Sequence, residues 1–151
     1  MKKPTVNPAI RVSYTEAPPV ELRPDSCARY HQTMSSGGVY LLTEDGRYYI
    51  GQTTDPPARF ASHCLVPVNC KMKAPRCAVL GIIRTKALSW HHRERLRLNA
   101  EARFITAALS MGLPLTNALS AYKHDKLLAE FSDVSCERAR ITQALLLLEA
   151  R

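Results

Sequence analysis

The 151-residue chain lacks features that mark several classes of protein. No apolar run approaches the ~18 residues that cross a bilayer. The charged start, Met1-Lys2-Lys3, is followed by no apolar segment of the kind found in secretory signals. Internal repeats are also absent, and a chain of this length buries one core with little left for a second. We therefore expect a compact cytoplasmic protein without a membrane partner.

Cysteine is present, but not in a pattern that indicates disulfides or zinc. The five cysteines are an odd number at low density, which fits a reducing compartment. No Cys-x-x-Cys pair occurs, and the spacing of Cys64, Cys70 and Cys77 matches no usual zinc framework. No zinc is expected.

Acidic residues are scarce in one part of the chain. Residues 59–103 hold ten lysines and arginines against two glutamates, a local balance of +8, which equals the net charge of the whole chain. Because basic contacts to phosphates release counterions, this asymmetry favours nucleic acid as the partner over a merely solubilising face. The residues expected to contact phosphates are Lys71, Lys73, Arg76, Arg93 and Arg97.

Residues 38–51 predict a β-hairpin. Two short apolar runs flank Asp45-Gly46, a strong hairpin signal because both residues tolerate positive φ. The hairpin would bring Tyr40 and Tyr49 close together on neighbouring strands. Taken alone, two tyrosines in a half-buried sheet indicate packing.

The residues after the hairpin predict the start of a helix. Asp55 or Thr54 can cap its free N–H groups, and Pro56 fits the first helical position. Arg59 and His63 then lie four residues apart on one face. A solvated basic face would explain the pair, but its position directly after the hairpin favours a functional role.

Later segments predict further elements. Residues 77–83 are apolar enough for a central strand. Ser89 can cap a long helix that runs to about Ser110 and ends before Gly112 and Pro114. Two more helices are predicted at about 117–130 and 134–149, and one short strand at 10–14.

These motifs resemble the successive motifs of the GIY-YIG nuclease superfamily, especially its small single-domain members. The resemblance covers roughly residues 37–120, with Val39 where the family has isoleucine. It rests on Gly38-Val39-Tyr40, Tyr49-Ile50-Gly51, Arg59 with His63, Glu101 on the long helix, and Asn117.

The resemblance implies an α+β fold, an α/β sandwich with a small three-stranded, mainly antiparallel sheet flanked by helices. The nuclease domain would occupy residues 37–120. A proline-rich arm (residues 1–36) would precede it, and a C-terminal helical extension (residues 121–151) would pack on it.

The resemblance further implies a metal-dependent endonuclease that hydrolyses phosphodiester bonds in DNA. Tyr40 or Tyr49 would act as general base, and Arg59 would neutralise charge on the phosphoryl oxygens. His63 would relay a proton or orient the nucleophile. Asn117 would fix the geometry of the site, where Gly38 and Gly51 have a structural role. The family suggests Tyr40 as the base, but the residues leave the choice open.

Glu101 is expected to bind the metal. On the predicted helix it shares an arc with Leu98, Ile105 and Ala108, and a carboxylate inside an apolar stripe needs a compensating cation or hydrogen bonds. A buried salt bridge is one explanation. The resemblance supports the other, a single Mg²⁺ (or Mn²⁺), which needs only one or two protein carboxylates besides water and substrate phosphate.

Two alternatives to a housekeeping endonuclease stay open. One is a catalytically weak or inactive nucleic-acid-binding module of the same fold. The other is a nuclease that serves as a toxin or restriction-type effector. A homodimer is neither required nor excluded by the sequence.

Overall fold

The computed structural model describes residues 7–23, 37–65, 72–85, 89–116, 131 and 133–149. The fold is α+β. Its elements are the strands β1 (Ser13–Tyr14), β2 (Val20–Leu22), β3 (Gly38–Glu44) and β4 (Arg47–Thr53), the helix α1 (Pro56–Leu65), the strand β5 (Arg76–Arg84), and the helices α2 (Trp90–Ser110) and α3 (Ser135–Glu149). None of the described helices is both long and apolar enough to cross a membrane.

The sheet has five antiparallel strands, so the prediction of three was wrong. β3 lies between β4 and β5, while β1 and β2 both pair with the other edge of β5. The three strands predicted for the sheet are present, and the two additional ones come from residues 7–23. β1 lies within the short strand predicted at 10–14, whereas β2 was not predicted. These strands are only two and three residues long, too short for an alternating pattern to reveal both of them.

The hairpin forms as predicted. Glu44 pairs with Arg47, leaving the two-residue loop Asp45-Gly46 with φ of 51° and 75°. Positive φ at both loop positions is the type I′ geometry, which matches the twist of the flanking strands.

Local capping sets the ends of the helices. The Ala58 N–H donates to Asp55 Oδ1 at 3.2 Å at the start of α1, and the His92 N–H donates to Ser89 Oγ at 3.1 Å at the start of α2. Gly112, with φ of 75°, follows the end of α2. α3 begins close to the predicted position, whereas the helix expected at 117–130 lies outside the described residues.

Each face of the sheet carries its own apolar core. On one face, α2 and α3 pack through side chains such as Phe104, Ile105 and Ile141. On the other face, Phe60 of α1 packs against Tyr40 and its neighbours. The candidate site therefore belongs to the face that α1 covers.

A β-bulge lies opposite Tyr40. Val39 pairs with Gly81 but Tyr40 pairs with Val79, so β5 has one extra residue, Leu80, at this step. Bulges re-aim side chains and leave a backbone group without its ladder partner. The Leu80 carbonyl instead accepts a hydrogen bond of 3.1 Å from Arg140 of α3.

The same arginine holds residues 7–23 against the sheet. Arg140 also donates to the carbonyl oxygens of Thr15 and Ala17, at 2.7 and 3.1 Å, and its guanidinium lies 5.3 Å from the ring centroid of Tyr14. Nearby, Tyr14 donates to Glu137 Oε2 at 2.7 Å. The segment is thus an integral part of the fold.

Candidate functional site

The register of the hairpin brings Tyr40 and Tyr49 together. Tyr40 lies opposite Gly51 and Tyr49 lies opposite Leu42, so the two tyrosines are diagonal neighbours on one face. Their ring centroids are 6.2 Å apart. The missing side chain at Gly51 is required here, because a Cβ would come within 3.0 Å of the Tyr40 ring and hydroxyl.

Arg59 connects the two tyrosines. It lies on the first turn of α1, whose start is capped by Asp55. The guanidinium makes side-chain hydrogen bonds to both hydroxyls, and these bonds raise the pKa of Arg59. Arginine donates and never accepts, so this contact favours the ionised form of either tyrosine.

Burial works against that ionised form. Tyr40 is 1% exposed, and burial raises its pKa far above the usual range for a tyrosine, with a further increase from Tyr49. Burial also raises the pKa of half-buried Tyr49, and the charge of Glu101 adds to this effect. Arg59 lowers both pKa values, and the hydrogen bond from Tyr40 lowers that of Tyr49. The two tyrosines are therefore electrostatically coupled.

Glu101 reaches this cluster from α2. The helix packs along β4, and the half-buried carboxylate is close enough to Tyr49 to raise its pKa. Of the residues predicted for the site, the structure brings together Tyr40, Tyr49 and Arg59, with Gly51 against the Tyr40 ring, and Glu101 lies within electrostatic range of Tyr49. Gly38 is buried at the start of β3, opposite Thr53.

Comparisons with protein-family models, curated proteins and solved structures found no match. The likeness to the GIY-YIG superfamily therefore rests on the residues of the chain itself and on their arrangement.

Three predicted site residues cannot be placed in the cluster. His63 lies in α1, but its side chain is outside the described residues. Asn117 and Lys71 are outside them entirely.

The predicted phosphate contacts fall into two groups. Lys73 is exposed on a loop that the Glu44 carboxylate holds through the N–H groups of residues 73 and 74, and Arg93 is half-buried on α2. Arg76 binds Glu21 at 2.7 Å and donates to the Leu148 carbonyl, so its guanidinium already has partners within the fold.

Arg97 is buried, which the sequence did not indicate. It is 6% exposed, its stem lies on Gly37, and its Nε donates to Gln52 Oε1 at 3.2 Å. Burial lowers the pKa of Arg97. Gly37 has φ of 83°, and a Cβ there would be 2.6 Å from Arg97 Cδ. The Gly37-Gly38 pair was the signal for this close approach, whereas nothing in the sequence singled out Gln52.

The basic segment is less one-sided in space than along the chain. Three of its arginines face glutamates from residues 7–23 or from α3. These pairs are Arg76–Glu21, Arg84–Glu16 and Arg103–Glu137, with N–O distances of 2.7, 4.0 and 3.0 Å. The surplus positive charge is thus concentrated on fewer side chains than the sequence suggested.

The donor set at the cluster fits a metal held mainly by substrate and water. Across the described ranges, no three His, Cys, Asp or Glu residues lie close enough to hold an ion among them. Glu101 supplies one carboxylate, which suits Mg²⁺ or Mn²⁺ with retained waters and a phosphate oxygen.

Proposed function

We propose that this protein is a metal-dependent endonuclease that hydrolyses phosphodiester bonds in nucleic acid, with DNA as the substrate that the resemblance implies. The observation that supports it is the single cluster in which Arg59 bonds both tyrosine hydroxyls beside the Glu101 carboxylate. A tyrosine base, a cation for phosphoryl oxygens and a hard-metal ligand are the groups that such a hydrolysis needs.

Tyr49 is the better candidate for the base. Tyr40 is buried, whereas Tyr49 is half-buried and next to Glu101. The hydrogen bond from Tyr40 and the Arg59 guanidinium both stabilise a Tyr49 phenolate. The phenolate takes a proton from water as the water oxygen bonds to phosphorus and the P–O3′ bond breaks, and the leaving 3′ oxygen takes a proton from solvent to become a hydroxyl.

The remaining residues assist this step. Arg59 neutralises charge on the phosphoryl oxygens, and His63, whose role stays a prediction, relays a proton or orients the water. When bound at Glu101, Mg²⁺ would stabilise charge on the phosphate and on the leaving 3′ oxygen.

The test is cleavage of supercoiled plasmid by the full chain in Mg²⁺ and in EDTA. We expect conversion to nicked and linear forms in Mg²⁺ alone, and none by Glu101→Gln. Glu149→Gln is the matched control, because it makes the same change at an exposed position on another helix. Wild-type cleavage by Glu101→Gln would remove this residue from the site, and no cleavage by the wild-type protein of plasmid, branched DNA or RNA would refute the activity.

A non-catalytic binding module is the second candidate. The raised pKa values of Tyr40 and Tyr49 support it, because two neutral tyrosines also suit simple packing. Plasmid binding without conversion in any metal would favour this module.

A further inference from the structure

Trp90 is the one exposed ring among the described Phe, Tyr and Trp side chains. It is 57% exposed, and His91 approaches its ring edge-on at a centroid distance of 5.1 Å. Trp90 is also the only tryptophan in the 151-residue sequence. Covering such a large apolar ring with a partner is favourable, because it removes apolar surface from water.

The charges around Trp90 favour an anionic partner. Arg93 and Arg95 follow on the next turn, with Glu94 between them, and the first turn of α2 contains no acidic residue. Positive charge near a helix N-terminus opposes the helix dipole. A bound anion would offset that repulsion, and an aromatic face within a basic surface suits nucleic acid.

A second observation concerns Arg97, the buried arginine one turn before Glu101. Among the described residues, no carboxylate lies within 4.0 Å of Arg97, and only its Nε donates a hydrogen bond, to Gln52. Buried cations are normally paired, because desolvation is costly. Glu94, three residues earlier on α2, offsets only part of this cost for Arg97, and a substrate phosphate would add a directly bonded negative charge.

The helix aligns these groups with the candidate site. At 100° per residue, Trp90 and Arg97 both lie within about 40° of Glu101 around the axis. Eleven residues separate Trp90 from Glu101, about 17 Å along α2, or about five steps of a nucleic acid strand at 3.4 Å each.

We propose that Trp90 stacks on an unpaired base of the strand that is cleaved at Glu101, with Arg97 contacting a phosphate between them. The inference rests on the proposed function and narrows its substrate to nucleic acid with a single-stranded segment beside the cleaved bond. Stacking of this kind is tolerant of sequence, because every base presents a π-face.

Tryptophan fluorescence tests the proposal directly, since Trp90 is the sole source of the signal. The full-length protein is titrated in EDTA with oligothymidine of about 12 nucleotides, within the site sizes of single-strand binders, and with a blunt duplex of equal length. We expect strong quenching by oligothymidine and little by the duplex.

Variants give the second readout, the affinity for labelled oligothymidine. Trp90→Ala should weaken binding about 5- to 150-fold, and Trp90→Phe much less. His92→Ala is the control. His92 is exposed on the opposite side of the same turn, and only its backbone N–H takes part in the cap that Ser89 provides. Circular dichroism checks that each variant is folded.

The outcomes separate this proposal from the proposed function. Plasmid cleavage together with unchanged Trp90 emission, or with equal affinities for wild type and Trp90→Ala, overturns the stacking role and leaves the nuclease intact. Absence of both cleavage and binding overturns the two together. Quenching by the duplex as strong as by oligothymidine overturns the preference for unpaired bases.

Discussion

Two clusters of this protein bring together a tyrosine, a glutamate and an arginine, and they differ in what the arginine contacts. In the first cluster, Arg103 binds the Glu137 carboxylate at 3.0 Å, and Tyr14 donates to the same carboxylate at 2.7 Å. Glu137 is 1% exposed. Every charge in this cluster has a partner, and burial together with Glu137 raises the pKa of Tyr14 far above its usual range.

In the second cluster, Arg59 contacts the hydroxyls of Tyr40 and Tyr49. Glu101 stays half-buried beside Tyr49. The same three residue types thus form a structural clamp when the cation neutralises the carboxylate. They form a candidate reaction centre when the cation favours an ionised tyrosine.

Removing the carboxylates should produce the largest contrast. Glu137→Ala leaves Arg103 and Tyr14 without their buried partner, so we expect the free energy of unfolding to fall by about 3–5 kcal/mol. Glu101→Ala, at a half-buried position, should lower it by less than Glu137→Ala does and should abolish cleavage. Urea denaturation followed by circular dichroism measures both, and equal losses would contradict the division of roles.

Substitution of the two arginines, Arg59 and Arg103, should have the next largest effects. Arg59→Ala should slow plasmid cleavage about 10²- to 10³-fold, which corresponds to about 3–4 kcal/mol of transition-state stabilisation. Arg103→Ala should lower stability but leave the rate per folded molecule unchanged. Initial rates at saturating Mg²⁺ give the comparison, and an Arg59→Ala rate equal to that of the wild type would assign Arg59 to packing.

The tyrosine hydroxyls should behave in opposite ways. Tyr14→Phe removes a hydrogen bond to a buried carboxylate, so we expect a loss of about 1.5–3 kcal/mol of stability and normal cleavage. Tyr49→Phe should lose less stability than Tyr14→Phe, but it should no longer cleave plasmid. If Tyr40→Phe loses cleavage while Tyr49→Phe retains it, Tyr40 is the base.

The smallest change, for each unit of the variable, is expected from pH. Because the pKa of Tyr49 is raised, its ionised fraction at neutral pH is small, and the cleavage rate should rise about tenfold per unit from pH 7 to 9. Tyr14 stays protonated in the folded state above the ordinary value of about 10, so its contribution to stability is complete below that pH and declines above it. A flat pH–rate profile would argue against a tyrosine base.

Short-range signals predicted the parts of the fold that are fixed locally. The Asp45-Gly46 turn and the caps at Asp55 and Ser89 each depend on a few neighbouring residues, and these signals also placed Tyr40, Tyr49 and Arg59 together. The candidate site was predictable because a two-residue loop fixes the register of the whole hairpin.

Features that depend on distant partners were not predictable in this way. Arg76 meets Glu21 across 55 positions, and Arg103 meets Glu137 across 34, so no local pattern showed that these charges would be neutralised. The burial of Arg97 likewise follows from its contact with Gly37, 60 positions earlier. Counting charges along the chain therefore missed these pairings.

The bulge opposite Tyr40 has a consequence for biosynthesis. Its free carbonyl, on Leu80, is satisfied by Arg140, which the ribosome adds 60 residues later. The hairpin and β5 can pair as soon as both emerge, but this carbonyl can bond only to water until α3 docks. The strand next to the candidate site thus reaches its final shape late, after most of the chain has been made.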